Sequence, residues 1–323
     1  MRKIRVVGVG LLLAGCASAP LTVDHTNPKA FQTVQAAIDA LPEAGGEIVL
    51  APGTYREKIN TAKNGVHIKG TGKAPSDVVI VWDDGASTAG GTFKSSTFIA
   101  SGDDFHLDNL TVKNAYWDNP ANKPSQAVAL SVTGDRGVFT RVRLLGAQDT
   151  LYANKNGKKG EGRQFYSDCY IEGHVDFIFG NANAYFQNCE LHGIAAGSVM
   201  YTAQSKNSPE ERSAYVFDNC KLTADPGAKE ISLGRAWRPY ATVIFLNTDM
   251  QANVIPGGWR EWTPGKTDTL KTATYAEYKS TGPGANPSAR EPYSKQLNDQ
   301  EAAQWALKAF FKDDLGWLPA SAK

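Results

Sequence analysis

Residues 173–180 read Gly-His-Val-Asp-Phe-Ile-Phe-Gly and set one carboxylate, Asp176, inside an apolar, aromatic run. A carboxylate buried in such a strand is costly unless it is paired, hydrogen-bonded or neutralised, so the chain must supply partners for it. Three other stretches carry suitable groups. "QAVAL" opens at Gln126, "GAQDTLYA" contains Gln148 and Asp149, and "LGRAWRP" contains Arg235 and Trp237. Two carboxylates beside one arginine can hold different protonation states. The one paired with the guanidinium stays ionised with a low pKa, and its charge raises the pKa of the other. That arrangement gives a nucleophile, Asp176, and an acid, Asp149. The glutamine amides add neutral N–H donors suited to the oxyanion of an acyl transfer. No serine, cysteine or metal is needed for this chemistry, and no cofactor is expected.

A repeat is what could bring these distant stretches together. Six segments share an aromatic or apolar residue followed five places later by an aliphatic one: "LDNLTV", "FTRVRL", "YSDCYI", "FQNCEL", "FDNCKL" and "FLNTDM". They begin at Leu107, Phe139, Tyr166, Phe186, Phe217 and Phe245, and each has the length and alternation of a strand bounded by turns. No helix-length periodicity accompanies them, so helical solenoids are excluded. The pattern predicts an all-β fold, a right-handed parallel β-helix with one coil per repeat. Cys169, Cys189 and Cys220 all take the fourth repeat position, with Leu110, Val142 and Thr248, and are expected to form an inward ladder with coils about 4.8 Å apart. Stacking would gather Gln126, Gln148, Asp149, Asp176, Arg235 and Trp237 on one face.

The ends also have signatures. Thr33 can cap a helix in which Val34, Ile38 and Leu41 share a face, closing the first coil. Asn298 to Glu301 has the spacing of a capping box before a second amphipathic stretch. Between Pro256 and Arg290 the chain is rich in Gly, Pro, Thr and Tyr and reads as a tail packed outside the coils, with Trp259 and Trp262 as packing beneath it.

The 323 residues balance 34 Lys and Arg against 33 Asp and Glu, which argues against a general electrostatic grip on nucleic acid. Arg2, Lys3 and Arg5 precede an apolar run too short to span a bilayer, so residues 1–15 read as an export signal. The run ends Leu-Ala-Gly-Cys, similar to a bacterial lipobox, with Cys16 as the lipidated mature N-terminus; an ordinary secretory signal is the alternative. Ala17 is not the aspartate that retains lipoproteins at the inner membrane, so a lipid anchor on the outer membrane of a Gram-negative bacterium is expected. Residues 16–28 would then be a linker and residues 29–323 a single domain, expected to be a monomer.

The order of these motifs, from the 31–38 helix through "QAVAL", "QDTLY", "RQFYSDCYIEGHVDFIFG" and "LGRAW" to "TYAEYKSTGPGA", resembles the pectin methylesterases, here in a bacterial lipoprotein form. The resemblance covers nearly all of the mature chain and implies a β-helical enzyme that hydrolyses methyl esters of homogalacturonan. It implies that Asp176 attacks the ester carbonyl, that Asp149 protonates departing methanol and then activates water, and that Gln148 and Gln126 line the oxyanion site. Arg235 would hold Asp176 ionised, while Trp237, Tyr152, Phe179 and Val175 would contact the sugars. It also implies a Cys169–Cys189 disulfide. Two residues depart from the family pattern: His174 replaces a commoner threonine, and Ala236 replaces a proline. Strict alternation sets Phe179 opposite Asp176, so its role requires a bend near Gly180.

Taken singly, each residue has a plainer reading. Asp149 suits an Asx turn, Arg235 a structural ion pair, and His174 a hydrogen-bonded bystander. Two other functions fit the same architecture: an esterase or thioesterase acting on another acyl group, and a non-catalytic polysaccharide-binding lipoprotein. The second would be expected to have lost a catalytic residue. A β-helix lyase lacks support, because no calcium-binding carboxylate cluster accompanies the arginine.

Overall fold

A computed structural model describes residues 19–155, 161–195 and 197–322. The expected export signal over residues 1–15 and the expected lipidation site Cys16 lie outside the described residues. Three sheets, of eleven, eight and eight strands, wind around one core with every pairing parallel. One coil illustrates the path. Strand Arg163–Ser167 lies in the first sheet, Tyr170–Gly173 in the second and Ile178–Gly180 in the third, after which Asn183–Gln187 returns to the first. Parallel crossovers of this kind wind right-handed.

The repeat lies in register. Leu107, Phe139, Tyr166, Phe186, Phe217 and Phe245 are successive partners in the first sheet. The rings from Phe139 to Phe245 stack in a column with centroids 4.5 to 4.8 Å apart. The third residue of each repeat, from Asn109 and Arg141 to Asp168, Asn188, Asn219 and Asn247, has a left-handed backbone with φ between 50° and 56°. Asn and Asp tolerate that conformation better than other side-chain-bearing residues. It turns the chain between sheets and resets the alternation, so repeat positions one, four and six all point inward. The cysteines occupy position four as expected, and each is a free thiol. The Cys169–Cys189 bridge is therefore not formed in this structure. The pairings Tyr170 with Glu190 and Glu190 with Lys221 set Cys189 beside both Cys169 and Cys220.

The ends match the capping signals, with two corrections. Helix Val34–Ala40 is capped by Thr33, whose hydroxyl accepts from the Ala36 amide. Helix Asp299–Ala303 opens with a reciprocal Asn298–Glu301 capping box. Phe310, Phe311 and Leu318 cover the outward residues Val138, Phe165, Tyr185, Val216 and Ile244 of the first sheet. The expected linker over 16–28 is shorter than that, because Leu21–Val23 pairs with Ile48–Leu50 as an edge strand of the first sheet. The segment 256–290 is not wholly an external tail. Trp259–Arg260 extends the third sheet and Thr274–Tyr278 the first, so the winding continues through it. Glu277 follows Phe245 in the inward column, where the buried Arg290 neutralises it at 2.6 Å.

Candidate active site

Leu151 pairs with Ile178 in the third sheet, so Asp149 and Asp176, each two residues earlier, occupy the same position in adjacent coils. Their backbones are about 4.8 Å apart on that register. Both are left-handed, φ 64° and 53°, and both are buried. The Asp149 amide donates to the Val175 carbonyl at 3.1 Å, tying the two turns together. The left-handed turn at Asp176 breaks the alternation, so Phe179 emerges on the same side as the carboxylate. The required bend is thus at Asp176 itself as well as at Gly180, where φ is 116° and a Cβ would meet the Ala153 carbonyl oxygen at 2.3 Å.

Arg235 ends the strand Lys229–Arg235, two coils along. The strand approaches its neighbour so closely at Gly234 that a Cβ would stand 2.1 Å from Thr202 Oγ1. From there the guanidinium reaches back to Asp176 in a bidentate pair, Nε donating to Oδ1 at 2.9 Å and Nη2 to Oδ2 at 2.7 Å. Asp149 has no cationic hydrogen-bond partner among the described residues. Burial, reinforced by the neighbouring Asp176 charge and opposed by Arg235, raises its pKa well above the usual aspartate range. The expectation of a low pKa for Asp176 is not met: burial outweighs the pull of Arg235 and the carboxyl sits above its ordinary value. The order of the pair stands, with Asp149 the more strongly raised.

These three side chains open onto a cleft of about 300 Å³ shared with Gln126, Gln148 and Trp237. Backbone bonds fix the glutamines, Ala127 N donating to the Gln148 carbonyl at 3.0 Å and Ala86 N to that of Gln126 at 2.7 Å. Among the described residues neither glutamine side chain makes a hydrogen bond, which leaves their amide N–H groups free to face an incoming carbonyl. All six polar and aromatic residues expected to converge do so.

The aromatic wall is wider than the sequence suggests. Tyr152, Phe179 and Ala203 are in-register outward residues of the third sheet. Phe93, Tyr152, Phe179, Trp237 and Trp262 form a row with neighbouring centroids 4.7 to 6.5 Å apart. Tyr152 stacks within this row but does not line the cleft itself, whereas Thr92, Phe93 and Trp262 do. Against the expectation of packing beneath a tail, Trp262 is 36% exposed with its ring 4.3 Å from Arg235 Cζ. Trp259 keeps the packing role, stacked on Tyr275 at 3.8 Å. Thr92 and Phe93 belong to no repeat, and their only sequence signal is the lone aromatic in a polar, Gly-rich insertion.

Val175 stands apart from the cleft, half-buried, and contributes its carbonyl to the turn. His174 is a bystander: burial lowers its pKa to about 4, its Nδ1 accepts from the Val175 amide, and its ring lies edge-on to Trp117.

Comparison with known proteins agrees with this geometry. The pectinesterase family model matches residues 21–314. The chain is 38% identical over 296 residues to putative pectinesterase 14 of Arabidopsis thaliana, covering 89% of this chain and 85% of that one. With pectinesterase 31 of the same plant the identity is 36%, covering 89% and 91%. Among solved structures, pectin methylesterase from carrot superposes with a TM-score of 0.81 at 28% identity, covering 91% and 94%. Pectin methylesterase PemA from Erwinia chrysanthemi gives 0.75 at 30%, covering 93% and 98%. With the family model matched over residues 21–314 and relatives of 36–38% identity covering 89% of the chain, this parallel β-helix and its cleft of two in-register aspartates belong to the pectinesterase family.

Proposed function

We propose that this cleft hydrolyses the methyl esters of homogalacturonan to pectate and methanol through a covalent acyl-enzyme. The observation that carries the residue roles is the unlike pairing of two equivalent aspartates: Asp176 is bound bidentately to Arg235, whereas Asp149 has no cationic hydrogen-bond partner among the described residues. Asp176 attacks the ester carbonyl as carboxylate, and the tetrahedral oxyanion takes hydrogen bonds from the amides of Gln148 and Gln126. Asp149, held protonated, gives its proton to the departing methoxide. An Asp176–galacturonyl anhydride remains. Asp149, now ionised, removes one proton from water as its oxygen attacks the galacturonyl carbon of the anhydride; the bond to Asp176 breaks, and the galacturonic acid released loses its remaining proton to solvent as galacturonate. Asp176 returns as a carboxylate facing Arg235, and Asp149 is again protonated.

Trp237, Phe179 and Trp262 offer faces for the sugar rings, and a polymer is the fitting substrate for so long an aromatic row. Solved pectin methylesterases of 29–30% identity bind hexasaccharides, which supports a polysaccharide ligand here. We further propose export with a lipid on Cys16, placing the enzyme on the outer membrane as a monomer. Methanol release from methylated polygalacturonate, set against hydrolysis of acyl thioesters and simple methyl esters, tests the substrate. Release from the polymer alone supports this reading, and preferential thioester cleavage would overturn it.

A further inference from the structure

Trp262 is not part of the polar set assigned to the ester chemistry, yet the Arg235 guanidinium lies over its indole, with Cζ 4.3 Å from the ring centroid. Arg235 is thereby held by two partners, the Asp176 carboxylate through paired hydrogen bonds and the indole through its ring face. The segment carrying the indole is stapled shut. The Glu261 carboxylate accepts from the Leu270 amide at 2.9 Å, from the Thr269 amide at 3.3 Å and from the Thr269 hydroxyl, closing residues 261–270 into a loop. The Thr272 hydroxyl donates to the Pro239 carbonyl, fastening that loop to the turn that carries Trp237. Glu261 itself lines a neighbouring hollow and not the catalytic cleft.

We propose that Glu261 and Trp262 are positioning residues: Glu261 fixes the loop, the loop sets the indole against Arg235, and Arg235 so held keeps the Asp176 carboxylate aimed at the ester carbon. This rests on the reading of Asp176 as nucleophile given above. An arginine gripped only at its edge keeps several rotatable bonds, and attraction to the ring face removes that freedom while shielding one side of the ion pair from water. A lower local dielectric in turn strengthens the pair. The rival role for Trp262, contact with a sugar ring alone, predicts different kinetics, because such contact does not act through Arg235.

A double-mutant cycle separates the two. Trp262→Leu should lower kcat about tenfold, the size of a partly desolvated cation–π contact, while Trp262→Phe, which retains a ring face, should lose less than about threefold. The acidic limb of kcat/KM for Trp262→Leu should move to higher pH, since that limb reports the free enzyme. In an Arg235→Lys background, Trp262→Leu should cost less than about twofold, because both changes remove one support. Glu261→Gln, remote from the cleft, should reproduce the kcat loss and the limb shift in smaller measure at unchanged Tm. A loss confined to KM, equal in both backgrounds and with the acidic limb in place, would overturn the proposal. A wild type that releases methanol yet shows that additive pattern sinks this inference alone; a wild type inactive on methylated polygalacturonate sinks the underlying reading as well.

Discussion

Replacing Arg235 by alanine removes the two hydrogen bonds, 2.9 and 2.7 Å, that oppose the cost of burying the Asp176 carboxylate. Deleting one partner of a buried ion pair costs roughly 3–5 kcal/mol because the remaining charge is left without compensation. The Arg235 side chain is 21% exposed, so water will enter the gap and the lower end applies. Where that cost falls on keeping Asp176 in its ionised, attacking form, about 3 kcal/mol corresponds to roughly a hundredfold loss in kcat/KM at a pH where the wild-type carboxyl is ionised. The loss should depend on pH. Asp176 must be ionised to attack, burial already raises its pKa, and without Arg235 nothing restrains that rise. The acidic limb of kcat/KM therefore moves to higher pH, and part of the loss is recovered on going alkaline until Asp149 in turn gives up its proton. The two limbs belong to the coupled pair and not to either residue alone. Initial rates of methanol release on one methylated oligogalacturonide, from acid to alkaline pH, provide the profile. A loss uniform across pH with the limb in place would refute the reasoning and leave Arg235 as a substrate ligand only.

Gln148→Ala should lower kcat on the order of 10²-fold with KM little changed if its free amide faces the oxyanion, and an unchanged kcat removes it from that role. Asp149→Asn should abolish turnover yet raise Tm at neutral pH. The native state raises the Asp149 pKa, so its stabilising contribution is complete below the unfolded value of about 3.9 and lost as pH rises through the folded value; the Tm gap should close in acid, and a gap independent of pH would contradict it. Under oxidising conditions Cys169 and Cys189 are proposed to pair, closing a loop of about twenty residues worth roughly 3 kcal/mol in the chain-entropy model. Thiol counting under denaturing, non-reducing conditions on protein lacking Cys16 should then find one free thiol, and three would refute the pairing.

What the sequence reveals and what it hides follow from one physical distinction. Inward residues recur because coils stack, so Phe139, Cys169 and Ile171 announce both the fold and their own direction. The same periodicity carries Gln126, Asp149, Asp176 and Arg235 to one face. Legibility ends where periodicity stops. Thr92, Phe93 and Trp262 sit on insertions whose path is set by tertiary bonds such as the Glu261 staple, and no local pattern reports those. The strand Thr274–Tyr278 is hidden because Glu277 stands where the column has aromatic residues, its charge neutralised by an arginine thirteen residues away. The pKa of Asp176 escapes a sequence reading because residue types reveal the partner and not the depth of burial against which it works.

The central claim is that Asp176 is the nucleophile, and Asp176→Asn tests it most directly. Asparagine keeps the shape of aspartate and tolerates the left-handed φ of 53° at this position, so the turn should survive while the attacking oxygen loses its charge. Methanol released from methylated polygalacturonate should fall by more than about a thousandfold at unchanged near-ultraviolet circular dichroism. Retention of a tenth or more of wild-type turnover, in protein free of contaminating esterase and of aspartate regenerated by deamidation of the introduced amide, would contradict the account.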